Sequence, residues 1–307
     1  MAECRRALLF INLHKSHARL LGEEITRELE RRNIEAVSFG FEGKPDFKVR
    51  GDFDISFSLG GDGTVLYASR TMAPLGVPVM PVNQGTLGFI SAVTPGSWIA
   101  AFDRWLAGRG IISPRLMLEV KVEGQGKAPV DFSCLNDAVI SASGIAKLIR
   151  LQVDAETGPP ERRGGPIRLG QYRSDGLIVS TPTGSTGYSV AAGGPIIDPE
   201  MEAVIINPIC PFTLSNRPVV VPADKRVIVK VEQEQRSAVL LTMDGQITRP
   251  LEPGDRIFIT KAPYRAKLIE SDREVFYRAL RTKLNWSQDG FNVKSAVSSE
   301  TAGGYDA

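Results

Sequence analysis

Histidine is nearly absent from this chain: His14 and His17 are the only two in 307 residues. A histidine-based metal cluster or a Ser/His/Asp triad therefore lacks its members, and the pair, placed just after the first apolar run, reads as surface residues capping the first helix. Cysteine is scarce as well. Cys4, Cys134 and Cys210 lie far apart with neither metal-ligand nor redox spacing, the pattern of isolated reduced thiols in a cytosolic protein. The net charge of +2 gives no reason to expect nucleic acid or an anionic membrane as a partner. No long hydrophobic run exists near the start: residues 7–13 are too few to span a membrane and lack a small-residue cleavage site, so export is not expected and a cytoplasmic location is. What remains is an ordinary globular composition, 42% hydrophobic and 23% charged, in a chain long enough for two cores.

Glycine is placed with more purpose. In Gly60-Gly61-Asp62-Gly63-Thr64 a lone carboxylate stands among three glycines, where an apolar strand at residues 53–59 gives way to a helix. Glycine lets the backbone turn sharply and approach an anion, and the following helix points unpaired N–H groups and its positive dipole end at the same place. The carboxylate has the wrong charge to attract phosphate, so it must act on a hydroxyl, a ribose or a metal. Gly-Asp-Gly is also common turn chemistry, and the motif alone does not decide.

Up to about residue 110 the chain alternates strand and helix. Strands are expected at 7–13, 34–39, 53–59 and 77–82. Helices are expected at 17–32, where Leu20, Leu21, Ile25 and Leu29 recur at helical spacing, and at 64–72 and 95–106. Such alternation argues for a parallel sheet covered by helices, with ligands beyond the carboxyl ends of the strands. After Ser113 the pattern changes to alternating runs around 116–121, 131–133, 148–153, 177–180, 219–221, 227–231, 239–242 and 257–260, with turns such as Glu252-Pro253-Gly254-Asp255. The expected organisation is an α/β domain over 1–112 and a mainly antiparallel all-β domain over 113–273. A helix at 274–286 packs back on the first domain, and a disordered tail follows over 287–307. Loop 157–170, with Arg162 and Arg163 among prolines and glycines, reads as an exposed hairpin excursion and a solvated connector.

A second loop is dense in hydroxyls: Ser180-Thr181-Pro182-Thr183-Gly184-Ser185-Thr186-Gly187-Tyr188-Ser189, leaving a strand that follows Ser174-Asp175-Gly176. Hydroxyls donate to phosphate or base acceptors and accept from ribose, while small residues let a flat ligand approach the backbone. With Asn83-Gln84-Gly85-Thr86-Leu87-Gly88-Phe89, Leu135-Asn136-Asp137, Gly193-Gly194-Pro195 and Asp244-Gly245-Gln246, in this order along the chain, the two loops resemble the NAD kinase family. Gly-Gly-Asp-Gly by itself is shared with diacylglycerol, sphingosine and phosphofructokinase-like kinases; the Thr-Pro-Thr-Gly-Ser-Thr element is far more restrictive.

The resemblance implies a phosphofructokinase-like first domain and ATP-dependent phosphorylation of NAD at the 2'-hydroxyl of its adenosine ribose, giving NADP, with Mg2+ or another divalent cation as cofactor. It assigns Asp62 to orienting that hydroxyl and accepting its proton. Because a carboxylate is a weak base, positioning and charge neutralisation by the cation carry most of the acceleration. It assigns Asn136, Thr183 and Thr186 to the adenine and its ribose, Phe89 to the adenosine, and Asp137 and Tyr188 to the nicotinamide riboside. Gly63, Gly187 and Gln246 complete the NAD contacts, and Gly60, Gly61, Gly63 and Thr64 approach the donor's phosphates. Arg173 and Asp175 match positions that reach a neighbouring subunit's ligand, so a homodimer or homotetramer with shared sites is implied.

Two departures stand out. Asn136-Asp137 occupies the place of a usual Asn-Glu, one methylene shorter, and Gly187 stands where alanine is common. Blander readings exist for single residues: Asp137 pairing with a basic side chain, Asn136 capping a turn, Phe89 in the core, and Asp244-Gly245 as hairpin chemistry, which is favoured for that pair. The competing activities are a lipid kinase of the same superfamily, for which no amphipathic basic helix is evident, and a catalytically silent dinucleotide sensor.

Overall fold

The computed structural model describes residues 4–43, 49–85, 88–124, 126–144, 147–156, 165–213 and 215–284. The first part runs β1 (Arg6–Asn12), α1 (Ser16–Arg31), β2 (Glu35–Phe41), β3 (Ile55–Gly60), α2 (Asp62–Met72), β4 (Val79–Asn83) and α3 (Trp98–Leu106). The interior of β1, residues 7–11, is apolar at every position because both of its faces are buried. Ala7, Leu9 and Ile11 face a core shared with Ile25 and Leu29 of α1 and Trp98 and Phe102 of α3. Leu8 and Phe10 face the opposite core, with Val65, Tyr67 and Met72 of α2. Both faces are covered, as a parallel sheet demands. β2, β1, β3 and β4 lie in that order and are parallel.

From residue 112 the chain is mostly strand: β5 (Ile112–Glu123), β6 (Val130–Cys134), β7 (Asp137–Ala142), β8 (Ile149–Glu156), β9 (Ile167–Ser174), β10 (Gly176–Ser180), β11 (Ala203–Ile209), β12 (Val219–Pro222), β13 (Arg226–Val231), β14 (Val239–Met243), β15 (Ile247–Leu251) and β16 (Arg256–Ile269). Among the described residues two short helical pieces interrupt them, a 3-10 turn at Thr183–Thr186 and α4 (Tyr188–Ala191). An antiparallel sheet runs β12-β11-β10-β7-β14-β15. Its inner face packs on β5, β8 and β13 through Ile140, Val179, Leu241, Leu118, Val153 and Val229.

The expected change of pattern after Ser113 is present, but the sheets do not divide where it does. β16 pairs antiparallel with β13 and β5 along most of its length, then in parallel with β4 at Leu268 and Val79, so the parallel strands and much of the β-rich part form one ten-stranded sheet. A register shift between Lys261 and Arg265 marks the bend. β7, β9, β11 and β15 lie outside the alternating runs read from sequence, and β9 begins within the stretch 157–170 expected as a hairpin excursion. β11 is buried at every position and therefore shows no period-2 pattern.

After β16, α5 (Arg273–Lys283) is capped by Asp272, whose Oδ1 accepts from Val275 N at 3.1 Å. It buries Val275, Phe276, Ala279 and Leu280, and the ring of Phe276 stands 6.2 Å from that of Phe89. The helix does return to the first part. The tail 287–307, residues 157–164 of the arginine loop, and Thr86 and Leu87 lie outside the described residues. The histidines do not cap α1: its N-cap is Lys15, which makes no side-chain cap bond. His17 lies within the first turn, and the exposed His14 accepts at Nε2 from Gly43 N at 3.0 Å, tying down a loop instead. All three cysteines are free. Among the described residues no helix is long and apolar enough to cross a membrane.

Phe276→Ala removes the one aromatic ring of α5 that is wholly buried. Denaturant unfolding is expected to show a loss of roughly 3 kcal/mol, the scale of an emptied aromatic core position; a loss below about 1 kcal/mol would mean that α5 is not docked as described.

Candidate active site

β3 delivers Gly60 to the carboxyl edge of the parallel sheet, and the chain turns at once into α2 with Gly61 as N-cap and Asp62 as first residue. A Cβ on Gly60 would run into Thr64 Oγ1 and lie 3.2 Å from Asn12 Cβ, so this turn has room only for glycine. Asp62 and Gly63 are exposed. A carboxylate in a first turn is favourable with the helix dipole, but this one also lies over a bare backbone: a Cβ on Gly88 would stand 2.8 Å from Asp62 Oδ1. Gly88 thus keeps the Asp62 carboxylate reachable. Lys15 was not singled out from sequence. Its Nζ stands 3.4 Å from the place a Gly61 Cβ would take, bringing a cation over the glycine loop. Nothing local marks it except its position after β1.

The hydroxyl loop is built onto the Asn136 segment. Thr181 N and Ser180 Oγ donate to Asn136 O at 2.8 and 3.1 Å, and Thr181 Oγ1 donates to Leu135 O at 2.5 Å. A Cβ on Gly184 would collide with Asn136 O. Much of the hydroxyl density is therefore structural: Thr186 Oγ1 donates to Thr183 O, and Ser185 Oγ bonds the backbone of Ile197. Three buried side-chain atoms in the two loops and the Asn136 segment have no partner within the protein: Thr64 Oγ1, Asn136 Oδ1 and Thr183 Oγ1. Buried polar atoms seldom go unpaired, which makes these three candidate contacts for a polar ligand. Gly187 leaves space beside Asn136, since a Cβ there would stand 3.3 Å from Asn136 Nδ2.

A cavity of about 350 Å³ opens beside this loop, lined by Asn136, Asp137, Val139, Ser141, Tyr188, Thr242, Asp244 and Gly245. Tyr188 is half exposed at its edge, and Asp137 is only 5% exposed. Burial, and then the neighbouring Asp244, push the Asp137 carboxyl up to about 7. Asp244 and Gly245 do form the expected hairpin turn between β14 and β15, both with left-handed backbone, φ 50° and 65°. The side chain of Asp244 does more. Wholly buried, it accepts from three successive backbone N–H groups, Leu135 at 3.0 Å, Asn136 at 2.7 Å and Asp137 at 3.3 Å. Arg70 Nη1 donates to it at 3.1 Å. Burial raises the Asp244 pKa, against the pull of Arg70 and the three donors. Arg70 Nη2 donates to Gln246 Oε1 at 2.8 Å, and Gln246 Nε2 donates to Gly63 O at 2.7 Å.

One connected frame thus brings together Gly60, Gly61, Asp62, Gly63 and Thr64 with Asn136, Asp137, Thr183, Thr186, Gly187, Tyr188 and Gln246. Phe89 adjoins Gly88 and packs on Phe276, with Lys283 Nζ 5.0 Å from its ring centroid, so its α5 contact is the one seen. Arg173 is elsewhere. It lies over Phe212 and lines a separate cavity of about 340 Å³ with Lys147, Leu148, Arg150 and Arg236. Asp175 sits at the β9–β10 corner, its backbone bonded to Ile209 and Ala142. Among the described residues no group of three or more His, Cys, Asp or Glu side chains could hold a metal by itself.

A glycine loop at a strand end, carrying an exposed carboxylate and tied by hydrogen bonds to a segment that lines a cavity, fits a nucleotide-dependent kinase. The family model described as ATP-NAD kinase N-terminal domain matches residues 10–110, and that described as ATP-NAD kinase C-terminal domain matches residues 135–271. The NAD kinase of Treponema denticola is 37% identical over 92% of this chain and 97% of its own. That of Symbiobacterium thermophilum is 39% identical over 90% and 98%. The chain belongs to the NAD kinase family, as its motifs imply. Its fold is shared with yeast NADH kinase complexed with NADH, at TM-score 0.80 and 20% identity over 94% of this chain and 89% of that one. It is shared too with an NAD kinase from Archaeoglobus fulgidus in complex with ATP, at TM-score 0.69 and 24% identity over 91% and 98%.

Asp137 has a consequence for pH. Its folded value near 7 exceeds the ordinary 3.8, so the folded chain holds a proton that the unfolded chain loses between those values. Stability from this group is fully present below about pH 4 and falls as pH rises to about 7. Relative to Asp137→Asn, the wild type is expected to lose up to about 1.4 kcal/mol per pH unit in that window. Parallel stability curves for the two proteins would contradict the assignment.

Proposed function

We propose that this chain transfers the terminal phosphoryl group of ATP to the 2'-hydroxyl of the adenosine ribose of NAD, yielding NADP and ADP. The observation that carries this reading is the Asp62 carboxylate, exposed at the first position of α2 and set against Gly88, in a loop whose Gly63 carbonyl is tied through Gln246, Arg70 and Asp244 to the Asn136–Asp137 segment. A pure binding protein gains nothing from a negative charge in a loop that approaches phosphates.

Asn136 Oδ1 and Thr183 Oγ1, the unpartnered buried atoms, bond the adenine and its ribose, with Thr186 and Gly187 shaping the same wall and Phe89 closing over the adenosine. Asp137 and Tyr188 take the nicotinamide riboside, and Gln246, already on Gly63 O, borders the ribose. Gly60, Gly61, Gly63 and Thr64 present backbone and hydroxyl to the donor's phosphates, and Lys15 adds the positive charge that glycines lack. Asp62 orients the 2'-hydroxyl and accepts its proton as the oxygen attacks the terminal phosphorus; the bond to the bridging oxygen of ADP breaks. The residues present also fit Mg2+. Magnesium needs no full protein cage, since it would be carried on the phosphates of ATP, and among the described residues no carboxylate cluster competes for it. When bound, the ion neutralises charge on the phosphates.

Arg173, which lines a separate cavity, and Asp175 at the β9–β10 corner suit contacts with the ligand of a second copy in a cytoplasmic homodimer or homotetramer. The division into parts 1–112 and 113–273, with the C-terminal helix completing the first, suits a donor loop on one part and an NAD cavity on the other.

Incubation with NAD, ATP and magnesium, read by a dehydrogenase-coupled assay, is expected to give NADP. Binding without product would favour a sensor, and product from a diacylglycerol but not from NAD a lipid kinase. Asp62→Asn is expected to lower turnover about 100-fold or more; near-normal turnover removes Asp62 from the mechanism.

A further inference from the structure

We infer that Arg70 is a positioning residue for the transfer: its guanidinium fork sets the catalytic loop of Asp62 against the Asn136–Asp137 segment that carries the acceptor. The inference rests on the phosphotransfer reading above. Arg70 is in the last turn of α2, the helix that Asp62 begins. One arm, Nη1, meets Asp244 Oδ2 at 3.1 Å, and that carboxylate holds the N–H groups of Leu135, Asn136 and Asp137. The other arm, Nη2, meets Gln246 Oε1 at 2.8 Å, and the amide of Gln246 reaches back to Gly63 O at 2.7 Å, one residue from Asp62.

Helix, hairpin and substrate loop are thereby closed into a ring of hydrogen bonds. α2 is gripped at both ends, through Gly63 and through Arg70. The side chain of Arg70 is only 11% exposed and that of Asp244 not at all, so water does not substitute for either. A cation needed only to neutralise Asp244 would require one contact. Two contacts in different directions from one planar group need the arginine fork, which lysine does not supply. The reacting geometry is what such a ring protects, since an error of about 1 Å at a transfer site costs about 100-fold in rate.

The test is Arg70→Lys, made alone and in the Asp62→Asn background, with kcat, both KM values and the thermal unfolding midpoint measured for each protein. Arg70→Lys is expected to lower kcat about tenfold or more while the KM for NAD and for ATP stays within about threefold, and to cost little further once Asp62 is gone, because Arg70 acts through it. A purely structural role gives a lowered midpoint with kcat of the folded protein intact, or equal losses in both backgrounds; either overturns the inference, as does turnover within twofold of wild type. Should Arg70→Lys not fold, Gln246→Glu keeps the acceptor for Arg70 but turns the donor on Gly63 O into an acceptor. The same loss of kcat is expected, and unchanged kcat overturns the inference. Failure of the wild type to make NADP is a separate result, which sinks the phosphotransfer reading instead.

Discussion

The buried carboxylate of Asp244 is what the rest of the site hangs on. Three successive N–H groups, those of Leu135, Asn136 and Asp137, point at it, and the first two lie between β6 and β7, outside any strand. Each donor left unpaired in such a place costs about 1–3 kcal/mol, so the loop holds its shape only while the carboxylate is present. The carboxylate in turn is tolerable in the interior because Arg70 and the three donors compensate it. Its second effect is on Asp137, whose own charge it disfavours. Asp244 thus holds the shape of the 135–137 segment and adds to the effect of burial on the Asp137 carboxyl.

The fold brings this group to the right place by a join within a sheet. β16 runs from the antiparallel partners β13 and β5 to the parallel strand β4. The β14–β15 hairpin follows the second sheet toward the same edge, and its tip meets α2. The carboxyl edge of β3 can then face a cavity from the other sheet. Bare backbone finishes the arrangement: Gly60 lets Thr64 fold over it, Gly88 clears Asp62, and Gly184 admits the Asn136 carbonyl.

What the sequence disclosed was whatever is local. The parallel strands are legible because both faces are buried and helices separate them, and the two loops are legible because glycine and hydroxyl density are read without knowing any partner. The family followed from the order of those loops. What stayed hidden depends on distant pairings: Arg70 and Asp244 are 174 residues apart, and nothing around either predicts the bond. Asp244 was favoured as a turn residue, which is true of its backbone and misses its side chain. Lys15 gives no signal, since its importance lies in reaching Gly61. The histidines were expected at a helix cap, but His14 found a loop amide instead. β11 escaped because a strand buried on both sides loses the alternation by which strands are recognised.

The site therefore depends on one set of hydrogen bonds, and amide exchange reads them directly. In the wild type, the amides of Leu135, Asn136 and Asp137 are predicted to be protected as strongly as those inside β7 and β14, although Leu135 and Asn136 lie between β6 and β7, in no strand. In Asp244→Ala all three are predicted to lose that protection while the amides of β1 and β3 keep theirs. Fast, loop-like exchange of the three in the wild type, or protection unchanged in the variant, would contradict the central role of Asp244.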